Sequence, residues 1–301
     1  MSTTLTESAV FTGSVVVPSD GDDGVASSVV DPLQVMADRS RYLLALHNGL
    51  LRGGYLRVQT NQVAVSPVRA LVVGSVYGSN AVQTTMTLPT LVAGTWYYVY
   101  AYPDGSGGVS FEVSTTAPDN SGTADDGGAV WKSGGTTRRY LGSFCTYTDG
   151  ASVVRPMPMF QVSGGRYHYV WSAVSEALIP PLTTLTTSGG SVADTETIDL
   201  SDWVPPHARV GIVELRTTML SGEDAIDLWV FEGGSIPPAA GREISFVDAP
   251  RVAGPSVEAK RELTVFLSTS REFTLYAATA GGGGCTVDTH PLGWIERDTR
   301  G

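Results

Sequence analysis

A chain of 301 residues with a formal net charge of −11 has room for two domains of ordinary size. It lacks the basic surface with which a protein displaces counterions from nucleic acid or clings to an anionic membrane. Its 35 glycines and 17 prolines, with abundant Val and Thr, point to strands and turns. A charged fraction of only 16% points to large buried areas, subunit interfaces included.

In chain order, residues 1–30 read as a polar, extended arm. Val10-Phe11 and Val15 to Pro18 are short strands, and Ser19 to Gly24 is a turn. Residues 1–8 hold Glu7 and no Lys or Arg, so no secretory leader is expected. The arm has too little apolar content to fold alone, which calls for another subunit or another protein beside it.

One short helix is predicted from Asp31 to Gly49. Asp31 is its N-cap, Pro32 its first position and Gln34 the capping-box partner; Val30 and Val35 form a staple, and Asn48-Gly49 stops it. Leu33, Met36, Leu43 and His47 fall on one stripe with Ser40 between them. Such a stripe needs a sheet or copies of itself to lie against. It covers about two heptads and includes Ser40 and His47, so in an oligomer it sets register while β-domains supply most of the interface. His47 is read either as a residue favoured by the helix dipole or as a ring of three around a threefold axis. Such a ring would loosen on protonation below about pH 6.5.

From Arg52-Gly53-Gly54 onward the pattern is that of strands: Tyr55–Gln59, Gln62–Val65, Val68–Val73 and Gln83–Leu88. The clearest hairpin joins Thr95–Tyr102 to Val109–Ser114 through Pro103 to Gly108, with Trp96, Tyr98, Tyr100 and Tyr102 on one face. After a polar loop at 117–128, strands follow at Arg138–Tyr147, Val153–Val162 and Tyr167–Val174. Ala177 to Pro181 reads as a domain joint. Further strands are expected at Thr195–Leu200, Arg209–Thr217, Ala225–Phe231, Glu243–Val247, Glu262–Leu267, Glu272–Ala278 and Gly293–Arg297. The expected fold is mainly β: arm and helix over 1–52, then antiparallel β-sandwich domains over 53–178 and 179–301, the second jelly-roll-like.

Pro32-Leu33-Gln34, Ala37-Asp38-Arg39-Ser40 and Tyr42-Leu43 together resemble a helical segment of tailed-bacteriophage fibre and appendage proteins. Val17 to Asp22, Thr95 to Tyr100, Ser114 to Asp119 and Arg139 to Ser143 are similar to stretches of the same proteins. The likeness covers about the first half of the chain. It implies a virion structural protein, assembled in the host cytoplasm as a homotrimer, with residues 1–30 bound to other virion proteins. Leu33, Met36, Ser40, Leu43 and His47 would then line the subunit interface. The C-terminal domain would contact the host surface, a glycan being the candidate ligand.

Chemistry leaves little trace. The four histidines are dispersed, and no HExxH or CxxC spacing occurs, so no metal or cofactor is expected. Asp20 to Gly24 fails calcium-loop spacing and reads as a solvated turn. There is no G-x-S-x-G elbow, and Asp104 to Gly108 reads as a β-turn. Glu223, Asp224 and Asp227 could supply paired carboxylates for glycoside cleavage, but Ser221 to Asp224 reads as a loop leading into a strand, and solvated carboxylates are the simpler reading. Arg138-Arg139 and Lys260-Arg261 are expected on solvated strand faces. Cys145 and Cys285 are read as buried small hydrophobes. No catalytic residue is assigned. Trp203, Trp229 and Trp294, with His290, are the candidate ligand contacts of the C-terminal domain, each weighed against ordinary core packing. The Trp96/Tyr98/Tyr100/Tyr102 row is either a sugar-stacking platform or a core face.

Overall fold

A computed structural model of the chain describes residues 3–6, 14–17, 48–119, 129–162, 165–170, 182–187, 193–219, 223–232, 245–248, 257–281 and 285–296. The predicted helix up to His47, its stripe Leu33, Met36, Ser40, Leu43 and His47, and the Asp20 to Gly24 turn lie outside them. In the arm, β1 (Thr3–Thr6) pairs antiparallel with β2 (Ser14–Val17). Internal contacts divide the chain into two units, residues 1–91, 95–144 and 299–301, and residues 92–94 and 145–298.

The first unit is built from short antiparallel ladders. β3 (Leu51–Gly53) and β7 (Val76–Asn80) flank β6 (Val68–Val73). β4 (Leu56–Gln59), β5 (Gln62–Val65) and β8 (Thr84–Met86) form a second ladder. In the third, β10 (Val109–Ser114) pairs with β9 (Trp96–Pro103), which neighbours β13 (Arg139–Thr148); β12 (Trp131–Lys132) and β11 (Pro118–Asp119) follow. Strand alternation puts Leu56, Val58, Val63, Val65, Leu71, Val99, Leu141 and Phe144 in the core. The run Val68–Val73, continuous and apolar but for Arg69, suits a strand buried on both faces. Instead it carries exposed Arg69 and an irregularity between Val68 and Leu71.

The hairpin turn forms as the sequence predicts. Asp104 Oδ1 accepts from Ser106 N, Ser106 Oγ and Gly108 N. Gly105 and Gly107 take positive φ. The Asn80 side chain then ties β7 to this hairpin, donating to Val109 O and accepting from Val109 N, both at 2.9 Å.

The second unit is a pair of antiparallel sheets. The larger has the order β22 (Val257–Phe266), β19 (Val210–Met219), β24 (Cys285–Ile295), β16 (Arg166–Tyr169), β15 (Met159–Val162), with β17 (Thr183–Thr187) also on β24. The smaller runs β18 (Ala193–Asp199), β23 (Glu272–Gly281), β20 (Glu223–Glu232), β21 (Ser245–Asp248). β14 (Val154–Pro156) pairs with the end of β13. Met159, Tyr167, Val213, Leu215, Val265, Val287 and Trp294 of the larger sheet are buried, as are Ile198, Leu228, Val230, Phe273 and Leu275 of the smaller.

Several expectations change here. The division falls inside β13, whereas 178/179 was the expected boundary. The reason is strand pairing: β16 lies within 53–178 yet pairs with β24, His168 opposite Gly293. The expected strand Val153–Val162 splits into β14 and β15 at Met157-Pro158, where proline offers no N–H to a ladder. β24 starts at Cys285, eight residues before the expected Gly293. Glu223, Asp224 and Asp227 all lie in β20, whereas Glu223 and Asp224 were expected in a loop.

Candidate functional site

The tyrosine row of β9 is a core face. Tyr98 and Tyr100 are buried with Val130 and Tyr140, and Trp96 packs partly buried against them. Tyr140 tilts against both rings, with centroids at 6.5 and 5.8 Å. The Tyr100 hydroxyl donates to Thr116 O at 2.7 Å. Tyr102, half-buried, is covered by the Arg138 guanidinium 3.7 Å from its ring centre. Arg138 Nε also donates to Glu112 Oε2 at 3.1 Å, and Lys132 Nζ donates to Glu112 Oε1. Burial alone would raise the Glu112 pKa, but Lys132 and Arg138 outweigh it and hold the carboxyl below its ordinary value.

The pair Arg138-Arg139 divides by strand alternation. Arg138 lies at the surface as expected, while Arg139 is fully buried. Arg139 Nε donates to Gly49 O at 2.7 Å and Nη1 to Val130 O at 2.8 Å. Gly49, at φ 84°, also donates its N–H to Val72 O, and Asn48 Oδ1 accepts from Gly74 N. The Asn48-Gly49 turn is therefore held from both sides, by Val72 and Gly74 and by Arg139.

In the second unit the structure brings two of the candidate tryptophans together. The Trp294 ring stacks on Tyr167 at 4.7 Å and lies 5.5 Å from Tyr169. Tyr169 meets Trp203 edge-on at 5.9 Å and donates its hydroxyl to Trp203 O at 2.6 Å. Trp294 Nε1 donates to Glu296 Oε1, which His207 Nε2 also approaches, at 3.1 Å. Gln161 donates to the Tyr167 hydroxyl. Arg271, at φ 68°, holds the 201–204 turn by donating to Ser201 O and Val204 O. Trp294 is fully buried and presents no face to a ligand; Trp203 is half-buried; His290 is buried. The Trp229 side chain lies outside the described part.

This cluster is a polar core. Burial pushes the Cys145 thiol up to about 12, although the Tyr169 hydroxyl 3.8 Å away opposes the shift. Burial, reinforced by Cys145, raises the Tyr169 hydroxyl well above its ordinary value. A thiol that stays protonated is a poor nucleophile. Cys285 is likewise free and buried. Among the described residues no group of three or more His, Cys, Asp or Glu is placed to hold a metal ion. Nor, among them, is any helix long and apolar enough to cross a membrane.

The opposite face of the larger sheet carries residues that sequence reasoning missed. Phe160, 41% exposed, stacks on half-buried His168 across the β15–β16 pair, with centroids at 5.6 Å. Burial first, then the Arg166 charge, lowers the His168 pKa. Arg166 Nη2 donates to Glu262 Oε1. The available signal was Phe160 itself, out of phase with Met159 and Gln161 in an alternating strand.

No family model matches the chain. No curated protein sequence matches it. Solved structures with partial likeness include the insecticidal delta-endotoxin Cry8Ea1 of Bacillus thuringiensis, with 8% identity and a TM-score of 0.26 over 86% of this chain and 55% of that one. Infectious bursal disease virus, Gx strain, gives 11% identity and a TM-score of 0.26 over 81% of this chain and 58% of that one. A carbohydrate-binding module of the β-sandwich superfamily gives 10% identity and a TM-score of 0.20 over 83% and 99%. The chain thus spans little more than half the length of the toxin and virus chains. Likeness at this level identifies no family; the chain's own strands make it a β-rich protein of antiparallel sheets.

Proposed function

We propose that this chain is a non-enzymatic structural protein of a tailed phage or phage-like particle, a homotrimeric fibre or spike. In this reading residues 1–30 attach to other virion proteins, the 31–49 helix sets the register of the trimer through Leu33, Met36, Ser40, Leu43 and His47, and the C-terminal domain contacts the host surface.

The observation that carries the reading is the junction at Gly49. The predicted helix that carries the appendage-like motif stops at Asn48-Gly49, and Gly49 is fixed by donating its N–H to Val72 O and by accepting from buried Arg139 Nε. An arm meant to bear load needs a fixed exit from its β-domain, and buried charge-assisted bonds supply one.

Immunogold electron microscopy of particles from the native host tests the assignment. An antibody to the C-terminal domain should label a fixed site on the particle. Labelling confined to the soluble fraction, with particles bare, would overturn it.

A further inference from the structure

We infer that copies of this chain meet through charge: exposed Arg52 and Arg69 in the first unit of one copy dock on the carboxylates of Asp199, Asp202 and Glu272 in the second unit of another. This deepens the proposal above by naming the surfaces that meet between subunits, and it rests on that reading for the trimer.

The first argument is the distribution of charge along the chain. Residues 39–103 hold five Arg and no Asp or Glu. Residues 169–208 hold five carboxylates and no Lys or Arg. A net charge of −11 therefore conceals two stretches of opposite sign. Patches of opposite sign steer two molecules together and fix how they dock.

The second argument is the arginine surface. Leu51 and Leu71 pair across β3 and β6 and are buried, so the next pair, Arg52 and Ala70, points away from the core. The ladder then skips Arg69, because Gly53 pairs with Val68. Gly53 takes φ 78°, and a Cβ there would collide with Pro67 O, so glycine fixes this bulge. A bulge re-aims a side chain. Val68 stays buried while Arg69 is exposed, which brings a second guanidinium to the outer face that carries Arg52. Neither makes an ion pair among the described residues. Like charges on neighbouring strands repel, and arriving carboxylates relieve the repulsion.

The third argument is the acidic surface. Asp199 lies directly opposite Glu272 in the β18–β23 pair. The adjacent pair, Ile198 and Phe273, is buried, so both carboxylates point away from the core. Asp202 is exposed in the turn that follows. Asp199 accepts from Ser201 N and Oγ, and the neighbouring cation Arg271 donates instead to Ser201 O and Val204 O. None of the three carboxylates has an ion-pair partner among the described residues. Two like charges face each other here as well, with the sign that the arginine surface needs. β18 is also the outer strand of its sheet in the described part, which leaves this surface open to a neighbour. The two surfaces differ, so the contact is heterologous, and three such contacts close a ring.

Sedimentation of the full chain in low and high salt tests the contact. Association should weaken about tenfold between about 0.05 and 0.5 M salt. Arg52→Glu with Arg69→Glu should weaken it at least about tenfold in low salt, with far-ultraviolet dichroism unchanged. Arg52→Gln with Arg69→Gln, which removes the charges without reversing them, should weaken it about threefold. Adding Asp202→Lys and Glu272→Lys to the Arg→Glu pair should recover association to within about threefold of wild type. The contact is overturned if salt and the Arg→Glu pair leave association unchanged, or if the combined swap recovers nothing. A trimer indifferent to salt and to every swap overturns this contact alone. A salt-sensitive assembly that the swap restores, but with another number of copies, overturns the trimer alone. A monomer under all conditions overturns both.

Discussion

Arg139 Nε donates to the carbonyl of Gly49 at 2.7 Å, across ninety residues of sequence. The same guanidinium donates to Val130 O, so one buried side chain satisfies two carbonyls from distant segments. Arg139→Met leaves both without that donor. Denaturant unfolding should then show a loss of about 3 kcal/mol. Arg139→Lys keeps the charge but not the planar fork, so only part of the loss should return. A change below about 0.5 kcal/mol in the Met variant would place the junction's strength elsewhere.

Cys145 gives the chain an alkaline limit. Its thiol ionises near about 12 in the folded protein, but near about 8.5 in an unfolded chain. The folded state favours the protonated form. Its contribution is full below about pH 8.5 and declines by about 1.4 kcal/mol per pH unit above it. Between pH 8.5 and 10 the stability of the wild type should fall faster than that of Cys145→Ala. Parallel curves would contradict the burial assigned to this thiol. In the native protein at pH 8, Cys145 should also resist a thiol reagent that labels it once unfolded.

Glu112 sets a smaller acid limit. Its folded pKa lies below the unfolded value because Lys132 and Arg138 outweigh burial. The stabilisation is present above about pH 4.3 and is lost as pH falls through the lower folded value. The three side chains are partly exposed, so the pairs are worth at most about 1 kcal/mol. Glu112→Gln should be less stable than wild type at pH 7, and the difference should shrink as pH falls below about 4.3. A gap that persists unchanged in acid would mean that packing, not charge, carries it.

Gly293 is required by its neighbour. A Cβ there would sit 1.9 Å from Tyr167 O, on a backbone at φ 157°. Gly293→Ala must therefore push β16 away from β24 and disturb the Tyr167–Trp294 stack. A loss of roughly 3 kcal/mol or more is expected, with a change in near-ultraviolet dichroism from the displaced aromatics. A melt like that of wild type would contradict the close approach.

Local sequence signals carried far in the first unit. The alternation in Gln62–Val65 and Val109–Ser114 and the Asp104 turn gave strand positions within a residue or two, because hairpins are local objects. The placement of Arg139 was not legible: a basic pair on a strand looks solvated until the acceptors from Gly49 and Val130 arrive. Nor was the partnership of β16 with β24, since pairing between strands more than a hundred residues apart leaves no local mark. Trp203 and Trp294 were found as aromatics of interest, yet only packing reveals that Trp294 is enclosed. Phe160 was passed over because an exposed Phe in a short strand matches no motif; it gains meaning from His168, Arg166 and Glu262 around it.

Sedimentation of the full chain at micromolar concentration tests the trimeric appendage most directly. The account predicts a species of three times the 31.7 kDa chain mass, which shifts toward smaller species when Leu33, Met36 and Leu43 are replaced by polar residues. A clean monomer across that range would contradict it.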